Sequence, residues 1–296
     1  MSVDTDALRA GQEYIVTSFS DDWSIGGSAV NVAAEVIRLG EQCIVVGAWG
    51  QASDRAETRL PEASATADWR IVQFNGLSGS ALGVKFRGGD AAFISTVGVN
   101  SELTDSHLVP IVRDLRERPL VLVTGFLKLR GLHGAGLRSI AEAIHDVGGC
   151  LALDTGRVSQ PVAPKTAETI AYALESVDTF LPNEAEALVL SQKHGTNGLA
   201  AALDLSRRFP RMTIALKRAE AGASIVRNGE VIANSPAFHM RGASHQEERQ
   251  LVGAGDTFNA ALLVGRWIRE RPEEIALTDA VKLAGQHVHR SRAPRT

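Results

Sequence analysis

The stretch LVGAGDTFNAALLVG, residues 251–265, places a glycine turn directly before an apolar helical run. Glycine is a poor helix former, so Gly253 and Gly255 predict that the helix begins on bare backbone. The first N–H groups of a helix have no intrahelical partners, and the positive end of the helix dipole lies behind them. We interpret this turn as an anion-binding site with Asp256 at its edge. The alternative is that Asp256 only caps the helix, since Asp is favoured there.

The same four residues form a candidate catalytic group. The backbone N–H groups of Gly253, Ala254 and Gly255 are close enough to converge on one oxyanion. Asp256 could then accept a proton from a hydroxyl group that attacks this centre. Positioning and preorganised dipoles are what phosphoryl transfer requires of a protein.

A second glycine turn opens a helix near the other end of the chain, in SIGGSAVNVAAEVIRLG, residues 24–40. Apolar residues at helical spacing form its buried stripe, and Gly40 closes it. Asn31 projects a polar side chain from this otherwise apolar helix start. That arrangement suits a hydroxyl-bearing ligand held against glycine backbone.

Apolar runs alternate with amphipathic helical patterns through most of the chain, which is typical of βαβ units on a largely parallel sheet. The predicted strands are residues 42–47, 119–125, 150–154, 177–182 and 212–217. The predicted helices lie near residues 134–146, 165–176, 183–191 and 198–208. Asn228-Gly229 predicts the turn of a late antiparallel hairpin.

The first 100 residues differ, since strand-like runs at 13–19, 69–74, 80–86 and 90–97 accompany one clear helix at 28–39. Several strands with few helices indicate a small β-sheet that projects from the α/β body as a lid. We expect one domain over residues 1–296, with lid strands drawn from about 10–25 and 69–100.

Composition excludes several functional classes. The 296 residues are 44% hydrophobic and carry a net charge of −3, which offers no electrostatic argument for nucleic acid or a membrane surface. Cys43 and Cys150 both lie in apolar strand-like runs, which favours buried thiols over a disulfide or metal site. No segment reaches the roughly 18 apolar residues of a membrane span, and no signal core precedes residue 20. We expect a soluble, cytoplasmic protein.

Two other site types are excluded or disfavoured by motif. The Gly-x-Gly of GLHGAGLRS, residues 131–139, has Ser139 where a dinucleotide fingerprint needs glycine, and a P-loop pattern is absent. The histidines show no metal-binding spacing, and we interpret His287 and His289 as helix-surface residues.

Taken together, these motifs resemble those of the ribokinase-like carbohydrate kinases, the PfkB family, and they occur in the family's order. GGSAVN (26–31) looks like the family's sugar-binding turn, and LPNEAEALVL (181–190) resembles its Asn-x-x-Glu element. ALKRAEAGASIV (215–226) resembles the nucleotide-binding Lys-x-Gly-x-x-Gly strand and turn. VGAGDTFNAAL (252–262) is close to the C-terminal signature, the most specific of the four matches.

The resemblance implies a three-layer α/β/α sandwich with a central, mainly parallel sheet and a small β-sheet lid. It implies ATP and Mg²⁺ as cofactors and a small sugar of the ribose, fructose or 2-keto-3-deoxygluconate type as phosphate acceptor. It also implies that a homodimer through the lid can form. The residues expected to form the site are Gly26, Gly27, Ser28 and Asn31 for the sugar; Asn183, Glu186, Lys217 and Gly222 for the nucleotide, with Glu186 acting indirectly on Mg²⁺; and Asp256 as base with Gly253, Ala254 and Gly255 around the phosphate.

Three departures accompany the resemblance. GGSAVN comes too early to leave room for the family's first strand and its sugar-binding Asp, so we expect a truncated N-terminus, with Asp4 or Asp6 as a replacement otherwise. Residues 249–252 replace the acidic loop that binds a monovalent cation, so potassium activation is not expected. Ala219 occupies a glycine position, where it would crowd a phosphate or require a shifted turn.

These departures keep two alternatives open beside an active sugar kinase. One is a kinase-fold protein that binds sugar or nucleotide with weakened or no catalysis. The other is a nucleoside kinase, because the GGSAVN pattern is common to both branches of the family.

Overall fold

The structure is a computed structural model that describes residues 2–3, 25–51, 65–85, 91–115, 118–156, 158, 163–191, 197–238 and 252–289. In chain order its strands are β1 (Ser2–Val3), β2 (Ile44–Gly50), β3 (Asp68–Phe74), β4 (Ser80–Lys85), β5 (Ala91–Thr96), β6 (Leu120–Thr124), β7 (Cys150–Asp154), β8 (Thr179–Phe180), β9 (Thr213–Lys217), β10 (Ala223–Arg227) and β11 (Glu230–Ser235). Its α-helices are α1 (Ser28–Arg38), α2 (Asp105–Asp114), α3 (Ala135–Asp146), α4 (Pro164–Leu174), α5 (Glu184–Ser191), α6 (Gly198–Arg208), α7 (Ala254–Leu263) and α8 (Glu273–His289). A π-helical turn over Val264–Ile268 continues α7.

The central sheet has six strands in the order β11-β10-β9-β8-β7-β6. Strands β6 to β9 are parallel, and β10 and β11 form an antiparallel hairpin at one edge. Every residue of β7 is buried, as expected of a parallel strand covered on both faces. The strands predicted from the four apolar runs after residue 118, and the hairpin at Asn228-Gly229, are confirmed.

Helices cover both faces of this sheet, and alternate residues of β7 show the two sides. Leu151 and Leu153 belong to a core that includes residues of α3, α4, α5 and α6. Ala152 belongs to a second core formed with α7 and α8. Because successive side chains of a strand point to opposite faces, the arrangement is the predicted three-layer α/β/α sandwich.

The N-terminal strands form two small sheets rather than one. Strands β4 and β5 are antiparallel, and β1 pairs with β5, which gives a sheet of the kind predicted for a lid. Strand β3, predicted as a lid strand, pairs instead with β2 in parallel along seven residues. A parallel pair needs a long connection between its strands, and the bend at Asn75–Gly76 separates β3 from β4.

That pairing corrects two expectations. The 69–74 run does not join the lid sheet. Residues 42–47 were expected among the central strands, but β2 pairs only with β3 within the described residues. The other predicted lid strand, within residues 10–25, falls almost entirely outside the described residues, as do Asp4 and Asp6. In the part of the chain that the structure describes, no helix is both long and apolar enough to span a membrane.

Candidate active site

Helix α7 begins on the predicted glycine turn. Gly253 has a left-handed backbone with φ 89°, and the N–H group of Thr257 donates to its carbonyl at 2.8 Å. The N-cap residue Gly253 has no side chain that could accept hydrogen bonds from the first N–H groups of the helix, so these groups need another acceptor. A β-carbon on Gly255 would lie 3.9 Å from Lys217 Nζ. The turn therefore presents bare backbone beside an ammonium group.

Asp256 lies in the first turn of α7 and faces the start of α1. Asn31 Nδ2 donates to Asp256 Oδ2 at 2.7 Å, and the Ser28 hydroxyl also hydrogen-bonds this carboxylate. Burial raises the pKa of Asp256, the hydrogen bond from Asn31 opposes that rise, and repulsion by Asp154 adds to it. Lys217 and Ser28 lower this pKa weakly, and the net shift of the pKa is upward. Asp256 is thus a stronger base than an exposed aspartate.

The residues of the sugar turn lie at the start of α1, the helix whose Asn31 contacts Asp256. Gly27 has φ 101° and begins the turn into α1, a conformation that favours glycine. A β-carbon on Gly26 would meet no atom of the described residues within 4 Å. The two glycine turns, 226 residues apart in sequence at Gly27 and Gly253, are joined through the Asn31–Asp256 hydrogen bond.

A buried polar network lies behind the base. Asp154, at the end of β7, accepts hydrogen bonds from Lys217 Nζ at 3.1 Å and from Asn259 Nδ2 at 2.6 Å through one oxygen. Its other oxygen accepts from the Gly156 N–H at 2.7 Å. Burial acts to raise the pKa of Asp154, but the charge of Lys217 and these hydrogen bonds outweigh it, so the pKa lies below its ordinary value. The carboxylate is therefore ionised and holds the ammonium in place.

Neither Asp154 nor Asn259 is among the predicted site residues. Asn259 is fully buried and also accepts from Lys217 Nζ at 3.2 Å. A signal for it exists in the sequence, since it is the polar residue almost one helical turn after Asp256 in an otherwise apolar run. Asp154 carries the weaker signal of a carboxylate at a strand end.

Asn183 and Glu186 bind each other at the start of α5. The Asn183 N–H donates to Glu186 Oε2 at 2.9 Å, and the Glu186 N–H donates to Asn183 Oδ1 at 2.9 Å. This reciprocal pattern is that of a capping box. Burial raises the pKa of Glu186 to about 7, against the opposing charge of Lys217, and Asp154 adds to the rise. The Asn-x-x-Glu element therefore orders a helix start and holds a carboxyl group whose pKa lies close to neutral pH.

The turn after β9 accommodates the alanine that replaces a family glycine. Ala219 adopts φ 45°, so the turn keeps a left-handed residue at this position at a cost in strain. Gly222 has φ 85°, and a β-carbon there would lie 2.0 Å from the Ser235 carbonyl oxygen. Gly222 is thus required by packing against the hairpin.

One residue set aside on sequence grounds is part of the site's surroundings. His287, expected on a helix surface, contacts the turn before α7, with Nε2 2.9 Å from the Val252 carbonyl oxygen. Among the described residues, no three histidine, cysteine or acidic side chains lie close enough together to hold a metal by themselves.

Comparison with protein families matches residues 5–294 to the pfkB family of carbohydrate kinases. This match spans nearly the whole chain. A search of curated proteins finds no significant match.

Solved structures share the fold at low sequence identity. An adenosine kinase from Sinorhizobium meliloti has a TM-score of 0.73 at 20% identity, covering 90% of this chain and 78% of the other. A Burkholderia thailandensis nucleoside kinase in complex with inosine has a TM-score of 0.69 at 17% identity, covering 97% and 87%. An Arabidopsis thaliana ribokinase complexed with ribose and ATP has a TM-score of 0.69 at 21% identity, covering 90% and 82%.

Proposed function

Because this chain belongs to the pfkB family of carbohydrate kinases, phosphotransferases with a hydroxyl acceptor, we propose that it transfers the γ-phosphate of ATP to a hydroxyl of a small sugar. The observation that carries the proposal is the half-buried Asp256 carboxylate, set between the sugar turn and the anion-binding turn. Ribose, fructose and 2-keto-3-deoxygluconate represent the acceptor type.

Asp256 is the proposed base. Its raised pKa supports this role, because a base whose pKa approaches the working pH takes a proton most efficiently. The acceptor oxygen attacks the γ-phosphorus, the bond to the β–γ bridging oxygen breaks, ADP leaves, and the hydroxyl proton passes to Asp256. Asn31 and Ser28 hold the carboxylate in its orientation and are also placed to contact the acceptor.

The transferred phosphoryl group would lie against the start of α7. N–H groups of Gly253, Ala254 and Gly255 would donate to its oxygens, and Lys217 would supply a full positive charge beside them. The hydrogen bonds from Lys217 to Asp154 and Asn259 support this role, because they fix the ammonium without the entropy loss of ordering it on substrate binding.

The residues fit Mg²⁺ bound through the nucleotide rather than in a protein cage. Mg²⁺ usually keeps several waters and binds one or two carboxylates together with substrate phosphates. Glu186, buried with a raised pKa, is a carboxyl group that a nearby cation would favour in its ionised form. When bound, Mg²⁺ neutralises charge on the phosphates, and Asn183 and Glu186 would hold its water ligands.

A nucleoside acceptor is the second candidate. The adenosine kinase and the nucleoside kinase with inosine share this fold over 90% and 97% of this chain, and the ribokinase shares it over 90%. The Asn31–Asp256 pair can bind a ribose hydroxyl equally well when a nucleobase is attached to the sugar. A protein that binds without transferring phosphate is the third, for which the strained Ala219 is the supporting observation.

We also propose a homodimer formed through the lid sheet. Among the described residues, strand β4 lies at the edge of that sheet, and Leu82 on it is 42% exposed. An edge strand with an exposed apolar side chain is a ready surface for strand pairing.

The experiment is ATP consumption with Mg²⁺ across ketoses, aldoses, 2-keto-3-deoxy sugar acids and nucleosides. Asp256→Asn should lower kcat by roughly 10³-fold while it leaves acceptor binding in place, because asparagine keeps the shape and loses the base. Asp279→Asn, an exposed carboxylate of α8 paired with Arg271, is the matched control. Unchanged turnover of Asp256→Asn would remove the assigned base. If the wild type consumes no ATP with any acceptor but still binds ligand, the result would favour a protein that binds without transferring phosphate.

A further inference from the structure

His287 lies in the last turn of α8 and reaches the turn that precedes α7. Its Nε2 is 2.9 Å from the Val252 carbonyl oxygen, and its Nδ1 is 3.2 Å from the Thr257 hydroxyl. A β-carbon on Gly253 would lie 3.2 Å from the imidazole ring. The ring therefore contacts the turn both before and after Gly253.

The partners determine which ring nitrogen carries the proton. A carbonyl oxygen only accepts hydrogen bonds, so Nε2 is the donor to Val252. In the neutral ring Nδ1 is then the acceptor, and the Thr257 hydroxyl donates to it. Both polar atoms of His287 are thus used on the two ends of one turn.

The Val252 carbonyl belongs to the same peptide group as the Gly253 N–H. A trans peptide group is planar, so its carbonyl and its N–H point in opposite directions. Holding the carbonyl toward α8 consequently points the Gly253 N–H away from α8. A donor on the carbonyl also polarises the peptide group and makes its N–H a stronger donor.

We propose that His287 is a positioning residue that sets the direction and strength of the first N–H donor of the anion-binding turn. This inference rests on the proposed function, in which that N–H meets the transferred phosphoryl group. His287 touches neither the phosphate nor the acceptor. Its effect should fall on kcat and leave the acceptor KM largely unchanged, because the sugar turn lies on α1.

Two substitutions distinguish the effect of losing the Nε2 hydrogen-bond donor from the effect of losing the volume of the ring. His287→Gln keeps a side-chain N–H donor near the Nε2 position, and His287→Leu fills similar space without one. His289→Gln, two residues further along α8, is the matched control. We expect His287→Leu to lower kcat by roughly 10- to 100-fold, the range for a misplaced or weakened oxyanion donor, and His287→Gln to recover most of it.

A second measurement does not depend on turnover. In ¹⁵N-labelled protein, titration with inorganic phosphate should shift the Gly253 amide resonance in the wild type and in His287→Gln. The shift should be small in His287→Leu, whose thermal unfolding is measured in parallel to show that it is folded.

The outcomes are distinct. If His287→Leu turns over within about twofold of the wild type, or if His287→Gln and His287→Leu lose kcat equally, the inference is overturned. A wild-type Gly253 amide that does not respond to phosphate overturns it as well. If the wild type transfers no phosphate but the amide responses follow the expected order, the proposed function fails and the role of His287 stands.

Discussion

Replacing Glu186 by Gln should make the protein more stable at neutral pH while it weakens catalysis. Glu186 is 5% exposed, and its pKa rises from the ordinary 4.5 to about 7. Because the folded-state pKa lies above the unfolded one, the neutral acid stabilises the fold below pH 4.5, and this contribution is lost as the pH rises through about 7. At roughly 1.4 kcal/mol per pKa unit, the ionised carboxylate costs about 3 kcal/mol above that range.

Glutamine keeps an oxygen that can accept the 2.9 Å hydrogen bond from the Asn183 N–H, but it carries no charge. The free energy of unfolding of Glu186→Gln, relative to the wild type, should therefore increase by about 3 kcal/mol between about pH 4 and about pH 8. Turnover with Mg²⁺ and ATP should fall by roughly 10- to 100-fold, the range for residues that orient a metal ligand.

The assay is urea unfolding of both proteins across this pH range, with kcat measured on the same preparations. Glu184→Gln is the control, because its side chain lies on the same helix, is 39% exposed and pairs with Arg218. A relative stability of Glu186→Gln that changes by less than about 0.5 kcal/mol over the pH range would refute the argument that this carboxylate is destabilised by burial.

Three further outcomes are expected. Gly222→Ala should destabilise the fold by at least about 2 kcal/mol, because the site has φ 85° and a backbone oxygen 2.0 Å from the added carbon, whereas Gly26→Ala, whose added carbon meets no atom of the described residues within 4 Å, should change the melting temperature little. Asp154→Asn should cost about 3 kcal/mol in chemical denaturation, because it leaves the half-buried ammonium of Lys217 without the carboxylate with which it pairs; an unchanged midpoint would contradict the network. Leu82→Glu should shift the sedimentation coefficient toward that of a monomer if the lid edge pairs, and a monomeric wild type would exclude the dimer.

The central sheet was predictable because its strands are short apolar runs between helical patterns. Buried parallel strands carry their signal locally, as β7 does in Cys150–Asp154. The pairing of β3 was not predictable in this way. A half-exposed strand such as β3 has the same local sequence pattern whether it pairs with β2 or with β4, so its partner is set by tertiary contacts.

The residues of the site also differ in whether a local sequence pattern could predict them. Asp256 and its glycine turn were recognisable because a helix start on bare backbone has a local signature. Asn259 and Asp154 were missed because their role depends on a contact across 105 residues of sequence. The contact of His287 was not predictable for the same reason, since a histidine near a helix end carries no sequence signal of the turn that it contacts, 35 residues away at Val252.

The sequence by itself determined most of the strands and helices, the two glycine turns and the type of residue at each, whereas helix α2 was not predicted. Those features depend on backbone conformation and on hydrophobic period, which neighbouring residues set. Only the tertiary structure decided which charges meet. The long side chain of Lys217 reaches from β9 across the two-residue strand β8 to Asp154, and burial there moves the pKa of Glu186 and Asp256 upward. Desolvation and Coulomb energy depend on distances that no local pattern records.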